Sequence, residues 1–259
     1  MAQKDIGNKK PLHELKTTNE VMLYYDEWSK GNKYNNDMNA WEYSGPRETS
    51  EVLTKYQKDR DIKIYDAGCG SGLVGIELKK YGFSYFDGAD LSKELLNQVP
   101  KNLYNELEQI DLNKKILKKD NVYDVVMCVG TFTFAHVKAK ALDEFIRITK
   151  TNGLICFTIN EAIYIDYGFK SKIDNLVKTN KIKKIEFFKS NYLASKDVNA
   201  WFDSINISSE TGHVFHFSTG ASGPEPSFFS FFVTGAVRPS DAGAECGHGT
   251  RFRKIEGFP

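Results

Sequence analysis

A glycine-rich turn between a short apolar run and a helical pattern constrains this chain more than any other feature. Residues 62–75 read IKIYDAGCGSGLVG in one-letter code. The apolar run ending at Ala67 has the length of a buried strand, and Gly68, Gly70 and Gly72 let the backbone turn sharply and approach a ligand. The N-terminus of the following helix favours a negative group. The segment therefore predicts a strand, a ligand-binding turn and a helix of an α/β domain.

Further apolar runs alternate with helical patterns along the chain. Strands are predicted at 62–67, 83–89, 103–110, 122–129, 153–159, 183–188 and 213–217. Helices are predicted from Pro46, from the end of the glycine-rich turn to Tyr81, after Ser92, at 138–149 and around 173–178. The run at 122–129 is apolar nearly throughout, as a strand buried on both faces should be. Strands that alternate with helices predict a parallel sheet covered by helices on both faces.

Charge and composition exclude several classes of protein. The 259 residues carry 35 basic and 34 acidic side chains, and this near-neutral balance argues against a nucleic-acid partner, which requires many phosphates to be neutralised. No run approaches the roughly 18 apolar residues of a membrane span, and the polar N-terminus does not resemble a secretory signal. The four cysteines have no CxxC or Cys/His spacing, which excludes a zinc module. We therefore expect a cytoplasmic protein without a metal, a nucleic-acid partner or a membrane partner.

The composition changes toward the C-terminus and divides the chain into three parts. Lys254 is the only lysine or asparagine after residue 206, although 28 lysines and 18 asparagines precede it. The segment 220–259 is rich in Gly, Pro and Ser, which is typical of a flexible tail; a different coding origin, such as an alternative exon or a shifted frame, is the other explanation. We predict an N-terminal helical and aromatic lid at 1–45, a ligand-binding domain at 46–219 and an atypical flexible tail at 220–259.

Acidic residues around the glycine turn indicate which cofactor it binds. The string GSGLVG from Gly70 fits the dinucleotide pattern GxGxxG, but Asp66 would crowd the pyrophosphate of NAD and suits the ammonium of S-adenosylmethionine. Asp90 ends the second predicted strand, where it can accept hydrogen bonds from a ribose diol, which both cofactors have. Asp111, after the third predicted strand, is a candidate for the adenine amino group. Each of these residues has an alternative role as a helix cap at a strand end.

Five segments in order resemble the class I S-adenosylmethionine-dependent methyltransferases: DAGCGSG, GADLS, QIDL, YDVVMCVGTF and TNGLICFTI. WEYSGPRE, DAGCGSGLVG, CVGTFTFAHV and LDEFIRITKTNGLICFTI more narrowly resemble the methyltransferase-like proteins of the Williams–Beuren region type. The resemblance spans Tyr24 to Leu193. It implies a Rossmann-like, doubly wound, mostly parallel seven-stranded sheet with a reversed last strand, and S-adenosylmethionine over the strand ends. The cofactor-binding residues that it implies are Asp66, Ala67, Gly68, Cys69, Gly70, Gly72, Asp90, Leu91, Asp111, Leu112 and Cys128.

Three segments depart from the family's pattern or exclude a substrate class. Residues 151–153 read Thr-Asn-Gly where Pro-Gly-Gly is expected, and we expect Asn152 to take the turn conformation. Phe134 stands where a histidine is expected, so that only His136 is left of a histidine pair. Residues 130–133 read GTFT where enzymes that methylate DNA bases carry Asn/Asp-Pro-Pro-Tyr, which argues against that activity.

The methyl acceptor's side of the site is less well defined. His136 and Tyr25 are the candidates for contact with the acceptor, although no general base is evident. Aromatic residues before the first strand either pack as a lid on the sheet or form a wall near the sulfonium, where cation–π attraction would hold the methyl donor. They are Tyr24, Tyr25, Trp28, Tyr34, Trp41 and Tyr43.

The sequence leaves three functions open. The first is a methyltransferase that uses S-adenosylmethionine and acts on a small molecule or a protein. The second is a protein that binds this cofactor without turnover. The third, an NAD-dependent oxidoreductase, is disfavoured by Asp66 and by the absence of a recognisable Ser/Tyr/Lys or His catalytic set. The acceptor and the oligomeric state do not follow from the sequence.

Overall fold

The computed structural model describes residues 11–208. The strand predicted at 213–217 and the tail predicted at 220–259 lie outside the described residues. Within 11–208, none of the helices combines the length and the apolar character that crossing a membrane requires.

A seven-stranded sheet forms the centre of the described chain. Its strands are β1 Lys63–Ala67, β2 Tyr85–Asp90, β3 Glu106–Gln109, β4 Tyr123–Phe132, β5 Thr149–Asn160, β6 Ile182–Leu193 and β7 Val198–Ile207. They lie in the order β3-β2-β1-β4-β5-β7-β6, parallel from β3 to β5, with β7 antiparallel to both β5 and β6. The helices of this part of the chain are α1 Thr18–Ser29, α2 Lys33–Ala40, α3 Gly45–Tyr56, α4 Leu73–Lys80, α5 Lys93–Leu96, α6 Ala141–Ile148 and α7 Phe169–Lys178. The mostly parallel sheet with one reversed strand confirms the predicted fold class.

Successive residues of the central strands point to opposite faces of the sheet, and each face is buried under helices. Tyr65 and Val126 belong to one hydrophobic cluster, which includes buried residues of α6 and α7. Ile64 and Val125 belong to another, which includes buried residues of α3 and α4. The helices therefore cover both faces, as the alternation in the sequence predicts.

The sequence pattern does not reveal the reversed strand, β7. No element is predicted at Val198–Ile207, which lies between β5 and β6 and pairs with both. Asp203 and Ser204 are buried in the middle of this strand. Two consecutive buried polar residues break the alternation by which a strand is recognised in a sequence.

The N-terminal helices pack on the β6 and β7 side of the sheet. Thr17 caps α1 through a reciprocal pair of hydrogen bonds: its Oγ1 accepts from the Glu20 backbone at 3.2 Å, and the Glu20 carboxylate accepts from the Thr17 backbone at 3.0 Å. The buried face of α1, with Tyr24 and Trp28, shares a hydrophobic cluster with Tyr192 of β6 and with residues of β7. This packing fixes α1 and α2 to the body of the sheet.

The unusual Thr-Asn-Gly segment adopts the conformation expected for it. Asn152 has a left-handed backbone with φ of 62°. A Cβ on Gly153 would lie 2.7 Å from the carbonyl oxygen of Asp124, so this position requires glycine. Asparagine tolerates the left-handed region, and this accounts for the turn without a glycine at residue 152.

Candidate functional site

A cavity lies at the carboxyl ends of β1 to β4, beneath α1 and α2. Its lining residues are Thr18, Val21, Met22, Tyr25, Tyr34, Gly68, Gly70, Asp90, Leu91, Ser92, Leu95, Ile110, Asp111, Leu112, Asn113, Val129, Gly130, Thr131, Ala135, His136 and Val137. The order of the strands reverses between β1 and β4. Open α/β sheets bind their ligands at this kind of reversal.

The glycine turn after β1 forms part of the cavity wall. Gly68 and Gly70 have φ of 82° and 53°, a conformation that favours glycine. The backbone N–H groups of Gly68 and Cys69 both donate to the carbonyl of Ala89, at 2.7 and 3.0 Å. A Cβ on Gly68 would collide with the side chain of Thr131. The turn is thus held against the end of β2 and leaves its backbone open to a ligand.

Asp90, at the end of β2, presents a fixed carboxylate to the cavity. Its Oδ2 accepts from the Gly70 backbone at 2.9 Å, and its Oδ1 accepts from the Ser92 backbone at 2.8 Å. The N-cap of α5 is Ser92, whose Oγ accepts from the backbone of Leu95 at 3.1 Å. Burial raises the pKa of Asp90, and the backbone donors from Ser92 and Gly70 oppose that rise. Each oxygen still has a lone pair for a ligand donor.

Asp66 lies behind the glycine turn and does not line the cavity. Its side chain is buried, its Oδ2 accepts from the hydroxyl of Tyr104 at 2.5 Å, and its Oδ1 has no hydrogen-bond partner among the described residues. Burial raises the pKa of Asp66 to about 7, the Tyr104 hydroxyl opposes the rise, and the charge of Asp90 adds to it. A buried carboxylate oxygen without a donor is an open acceptor.

The loop after β3 joins the N-terminal helix to the loop after β4. The Oδ1 of Asp111 accepts from the backbone and the side chain of Asn113, at 3.0 and 3.1 Å, while its Oδ2 accepts from the hydroxyl of Thr18 at 3.3 Å. The side chain of Asn113 donates to the carbonyl of His136 at 3.2 Å and accepts from the Lys138 backbone at 2.9 Å. Asp111 thereby positions two walls of the cavity.

The end of the cavity next to α1 is aromatic. The ring of Tyr25 meets the ring of His136 edge to face, with centroids 5.1 Å apart, and meets Tyr34 at 6.2 Å. The Nδ1 of His136 donates to the carbonyl of Phe134. Burial lowers the pKa of His136 to about 4 and raises the pKa of Tyr25. Both rings are therefore uncharged near neutral pH.

The structure places most of the predicted residues in or beside one cavity. Six of the predicted cofactor residues line it: Gly68, Gly70, Asp90, Leu91, Asp111 and Leu112. Both candidates for contact with the acceptor, Tyr25 and His136, also line it. The others lie in the layer behind the wall: Asp66, Ala67, Cys69, Gly72 and Cys128. Burial raises the pKa of both thiols, Cys69 and Cys128. Of the aromatic residues before β1, only Tyr25 and Tyr34 reach the cavity, and the remaining rings pack around them.

Several residues at the site escape sequence reasoning. Thr131 lines the cavity but was not predicted. It follows Gly130 near the end of β4, and because ligands of α/β sheets bind at the ends of strands, its position in the sequence could have indicated it. Tyr104 comes from the loop before β3, and nothing near it in the sequence indicates a partner in β1. No group of three or more His, Cys, Asp or Glu side chains within 11–208 is arranged to hold a metal ion.

Comparison with known proteins finds similarity over much of the chain that lines this cavity. Residues 65–157 match the family model of the methyltransferase domain. Methyltransferase-like protein 27 of Homo sapiens is 30% identical over 150 residues, which cover 56% of this chain and 60% of that protein. The chain thus spans less than two thirds of the length of this relative.

Solved structures of low sequence identity share the fold. Magnesium protoporphyrin IX methyltransferase from Synechocystis PCC 6803, solved with bound S-adenosylmethionine, superposes with a TM-score of 0.54 at 14% identity, over 78% of this chain and all of that one. The [4+2]-cyclase SpnF superposes with a TM-score of 0.56 at 11% identity, over 74% of this chain and 97% of that one. These two likenesses concern the fold alone. Together with the family match over residues 65–157, they show that this part of the chain resembles a methyltransferase domain and that the described chain has the fold of a methyltransferase solved with S-adenosylmethionine.

Proposed function

We propose that this chain is a methyltransferase that transfers the methyl group of S-adenosylmethionine to a small-molecule or protein acceptor. The observation that carries the proposal is the pairing of the glycine turn with Asp90 on one cavity wall. The backbone of Gly70 holds the Asp90 carboxylate at 2.9 Å, so an acceptor for ribose hydroxyls stands next to backbone that a ligand can approach.

The residues present fit this cofactor. Gly68 and Gly130 line the cavity with bare backbone, and neither position has room for a side chain, because a Cβ would collide with Thr131 at the first and with Tyr43 at the second. Asp90 would hold the ribose, and its fixed oxygens need no reorganisation. The open Oδ1 of Asp66, behind the turn, is a buried acceptor of the kind that an ammonium requires.

The chain's own contribution to the chemistry is orientation and exclusion of water. When bound, S-adenosylmethionine supplies an electrophilic methyl group on a cationic sulfur. Two contacts close α1 over the cavity: the Ser92 hydroxyl donates to Asp26 at 2.5 Å, and the Gln98 side chain donates to the carbonyl of Ser29 at 2.6 Å. Methyl transfer is an in-line displacement. A site that aligns the two reactants and excludes water lowers the activation barrier, because less solvent has to reorganise during the reaction.

Calorimetric titration of the full chain tests the proposal. We expect S-adenosylmethionine and S-adenosylhomocysteine to bind and NADH not to bind, and Asp90→Ala to weaken the first two. Asp120→Ala, at an exposed surface position, serves as the control. Binding of NADH with no binding of S-adenosylmethionine would indicate an oxidoreductase and contradict the proposal.

Turnover needs its own measurement. The full chain is incubated with labelled S-adenosylmethionine and fractions of a metabolite extract or a protein lysate, and S-adenosylhomocysteine formation is followed. A protein that binds the cofactor yet methylates nothing in either pool would fit the alternative of a binding protein without turnover.

The narrower assignment and the compartment also belong to this proposal. The segments WEYSGPRE and CVGTFTFAHV support membership in the methyltransferase-like proteins of the Williams–Beuren region type. Cys69, Cys128 and Cys156 are free and buried, which suits a reducing compartment such as the cytoplasm.

A further inference from the structure

His136 lines the cavity and carries one hydrogen-bond acceptor that no residue within 11–208 uses. The ring's Nδ1 faces the carbonyl of Phe134, which can only accept, so Nδ1 carries the proton and Nε2 carries a lone pair. Nε2 is buried and has no partner among the described residues. A buried acceptor without a donor is costly unless a ligand completes it. This atom therefore indicates a ligand that donates a hydrogen bond.

The surroundings of His136 select a flat, apolar ligand. Tyr25 stands against the imidazole, and Tyr34 stands next to Tyr25. Apolar side chains from the N-terminal helix and from the loop after β4 complete this end of the cavity: Val21, Met22, Ala135 and Val137. Aromatic rings pair favourably with such walls in offset or edge-to-face geometry.

The charged side chains of the cavity disfavour an anionic acceptor. Asp90 and Asp111 line it, and no Lys or Arg does so among the residues that the structure describes. Burial keeps His136 neutral near pH 7, because it lowers the pKa of the ring to about 4. A carboxylate or phosphate ester at this end would lose its hydration without gaining a cation from the described side chains, which is unfavourable when the bound cofactor product has a neutral sulfur.

The roof of the cavity limits the size of the acceptor. Besides the two contacts that close α1, Ser71 donates to the side chain of Asn35 at 2.5 Å, next to α4. The hydroxyl of Thr18 bonds to Asp111 on the opposite side of the cavity. Because α1 and α2 are held over the cavity at several points, they limit access to it. The space beneath them suits a small molecule better than the surface of a folded protein.

We propose that the methyl acceptor is an uncharged small molecule with an aromatic hydroxyl, which donates its O–H to Nε2 of His136 and packs its ring against Tyr25. This inference rests on the proposed function. In the reaction, a lone pair of the acceptor oxygen forms the O–CH₃ bond, the C–S bond breaks with its electron pair retained by sulfur, and the hydroxyl proton passes to Nε2 and then to water. Because the oxygen becomes strongly acidic as the bond forms, a weakly basic imidazole suffices to take this proton.

The test compares three probes that carry different polar groups on the same 4-ethylphenyl ring: 4-ethylphenol, 4-ethylaniline and 4-ethylbenzoate. Their binding to the full chain saturated with S-adenosylhomocysteine is measured by ligand-observed NMR. We expect the phenol to bind at least about tenfold more tightly than the benzoate, and more tightly than the aniline. Tighter binding of the aniline or the benzoate, or no binding by any probe to the cofactor-loaded chain, would overturn the inference.

Variants of His136 locate the contact. His136→Phe keeps a ring against Tyr25 and removes Nε2, and we expect it to weaken phenol binding about tenfold while the affinity for S-adenosylmethionine changes less than about twofold. His136→Gln, which restores an acceptor, should recover part of the phenol affinity; His13→Phe, at an exposed site, should change neither. Equal phenol binding by wild type and His136→Phe would refute the inference.

Cofactor titration separates the failure of this inference from the failure of the proposed function. If the wild-type chain does not bind S-adenosylmethionine, the proposed function fails. If it binds the cofactor and the probes do not behave as stated, the acceptor class alone is wrong. Should His136→Phe not fold, a pH series on the wild type replaces it. Phenol affinity should then fall only as the pH drops toward 4, where Nε2 becomes protonated, and a constant affinity would oppose the inference.

Discussion

The hydroxyl of Tyr104 donates a hydrogen bond of 2.5 Å to Asp66, joining the loop before β3 to the end of β1. The same ring occupies the space beside two glycines. A Cβ on Gly75 would lie 2.7 Å from the tyrosine oxygen, and a Cβ on Gly88 would lie 2.9 Å from its ring. Tyr104 thus both orients the acid of the glycine turn and explains why α4 and β2 carry glycine where they face it.

Replacing Tyr104 by Phe tests this orienting role. The ring would stay in place while Asp66 would lose its one donor, so the pKa of Asp66 should rise above its present value of about 7. At pH 7 the carboxyl would then be more often neutral, and we expect S-adenosylmethionine to bind about three- to tenfold more weakly, with recovery near pH 9. Calorimetry across this pH range measures the effect. Tyr85→Phe, at an exposed site of β2, is the control, and a pH-independent affinity in Tyr104→Phe would contradict the expectation.

Removing the Asp66 carboxylate should have a larger effect. We expect Asp66→Ala to weaken the binding of S-adenosylmethionine by roughly 1.5–3 kcal/mol, the scale of a charge-assisted hydrogen bond. Because burial raises the pKa of Asp66 to about 7, binding of an ammonium should also release protons from the wild type near neutral pH and not from the variant. Titration in two buffers of different ionisation enthalpy detects this release. An unchanged dissociation constant would show that the ammonium binds elsewhere.

Asp90 and Ser92 allow ligand binding to be separated from helix capping. Asp90→Ala removes two cavity acceptors and should weaken both S-adenosylmethionine and adenosine. Ser92→Ala removes the cap of α5 together with the Ser92–Asp26 contact that holds α1, and Asp26→Asn serves to separate the two effects; we expect loss of the cap to lower the free energy of unfolding by about 1 kcal/mol. Adenosine titration and thermal unfolding are measured on all three variants. If Asp90→Ala lowers only stability while adenosine binding survives, the carboxylate serves the turn alone.

The buried carboxyl of Asp203 should make the protein's free energy of unfolding depend on pH. Burial raises its pKa from 3.8 to about 7, although Lys184 lies 3.5 Å away and opposes the rise. Because the folded state holds this proton more tightly than the unfolded state, the stability it contributes is complete below pH 3.8 and is lost as the pH rises through 7. Asp203→Asn should therefore stabilise the protein at pH 8 relative to wild type, by on the order of 2 to 4 kcal/mol, and much less at pH 4. Denaturant unfolding at pH 4 and pH 8 measures the free energy of unfolding of the wild type and the variant. Asp174→Asn, at an exposed position, is the control.

A truncation tests where the functional domain ends. The last strand of the described sheet ends at Ile207, and the lining residues of the cavity within 11–208 fall between Thr18 and Val137. We expect deletion from Gly220 onward to leave the affinity for S-adenosylmethionine within about twofold, a change near 0.4 kcal/mol. A truncated chain that folds but binds the cofactor tenfold more weakly would place part of the site in the segment removed.

Residues that act through their immediate neighbours in the chain could be predicted from the sequence. The turn glycines follow β1 directly, and Asp90 ends the next strand, so strand periodicity alone brings them to one edge of the sheet. Tyr104 could not be predicted, because its contact with Asp66 depends on how a loop folds back over β1. The strand β7 could not be predicted either, because the consecutive buried polar residues Asp203 and Ser204 interrupt the alternation of apolar and polar residues that identifies a strand.

The place of β7 in the sheet has a consequence for synthesis on the ribosome. Within residues 11–208, β6 is made before β7 but pairs with the sheet only through it, and β7 is the one described strand on the outer edge of β5. A nascent chain that has not yet released Ile207 from the exit tunnel therefore holds one unpaired strand edge and one strand without a partner. Unpaired edges are templates for pairing with other chains. The interval between the emergence of β5 and the emergence of β7 is thus the period in which this protein most needs a chaperone.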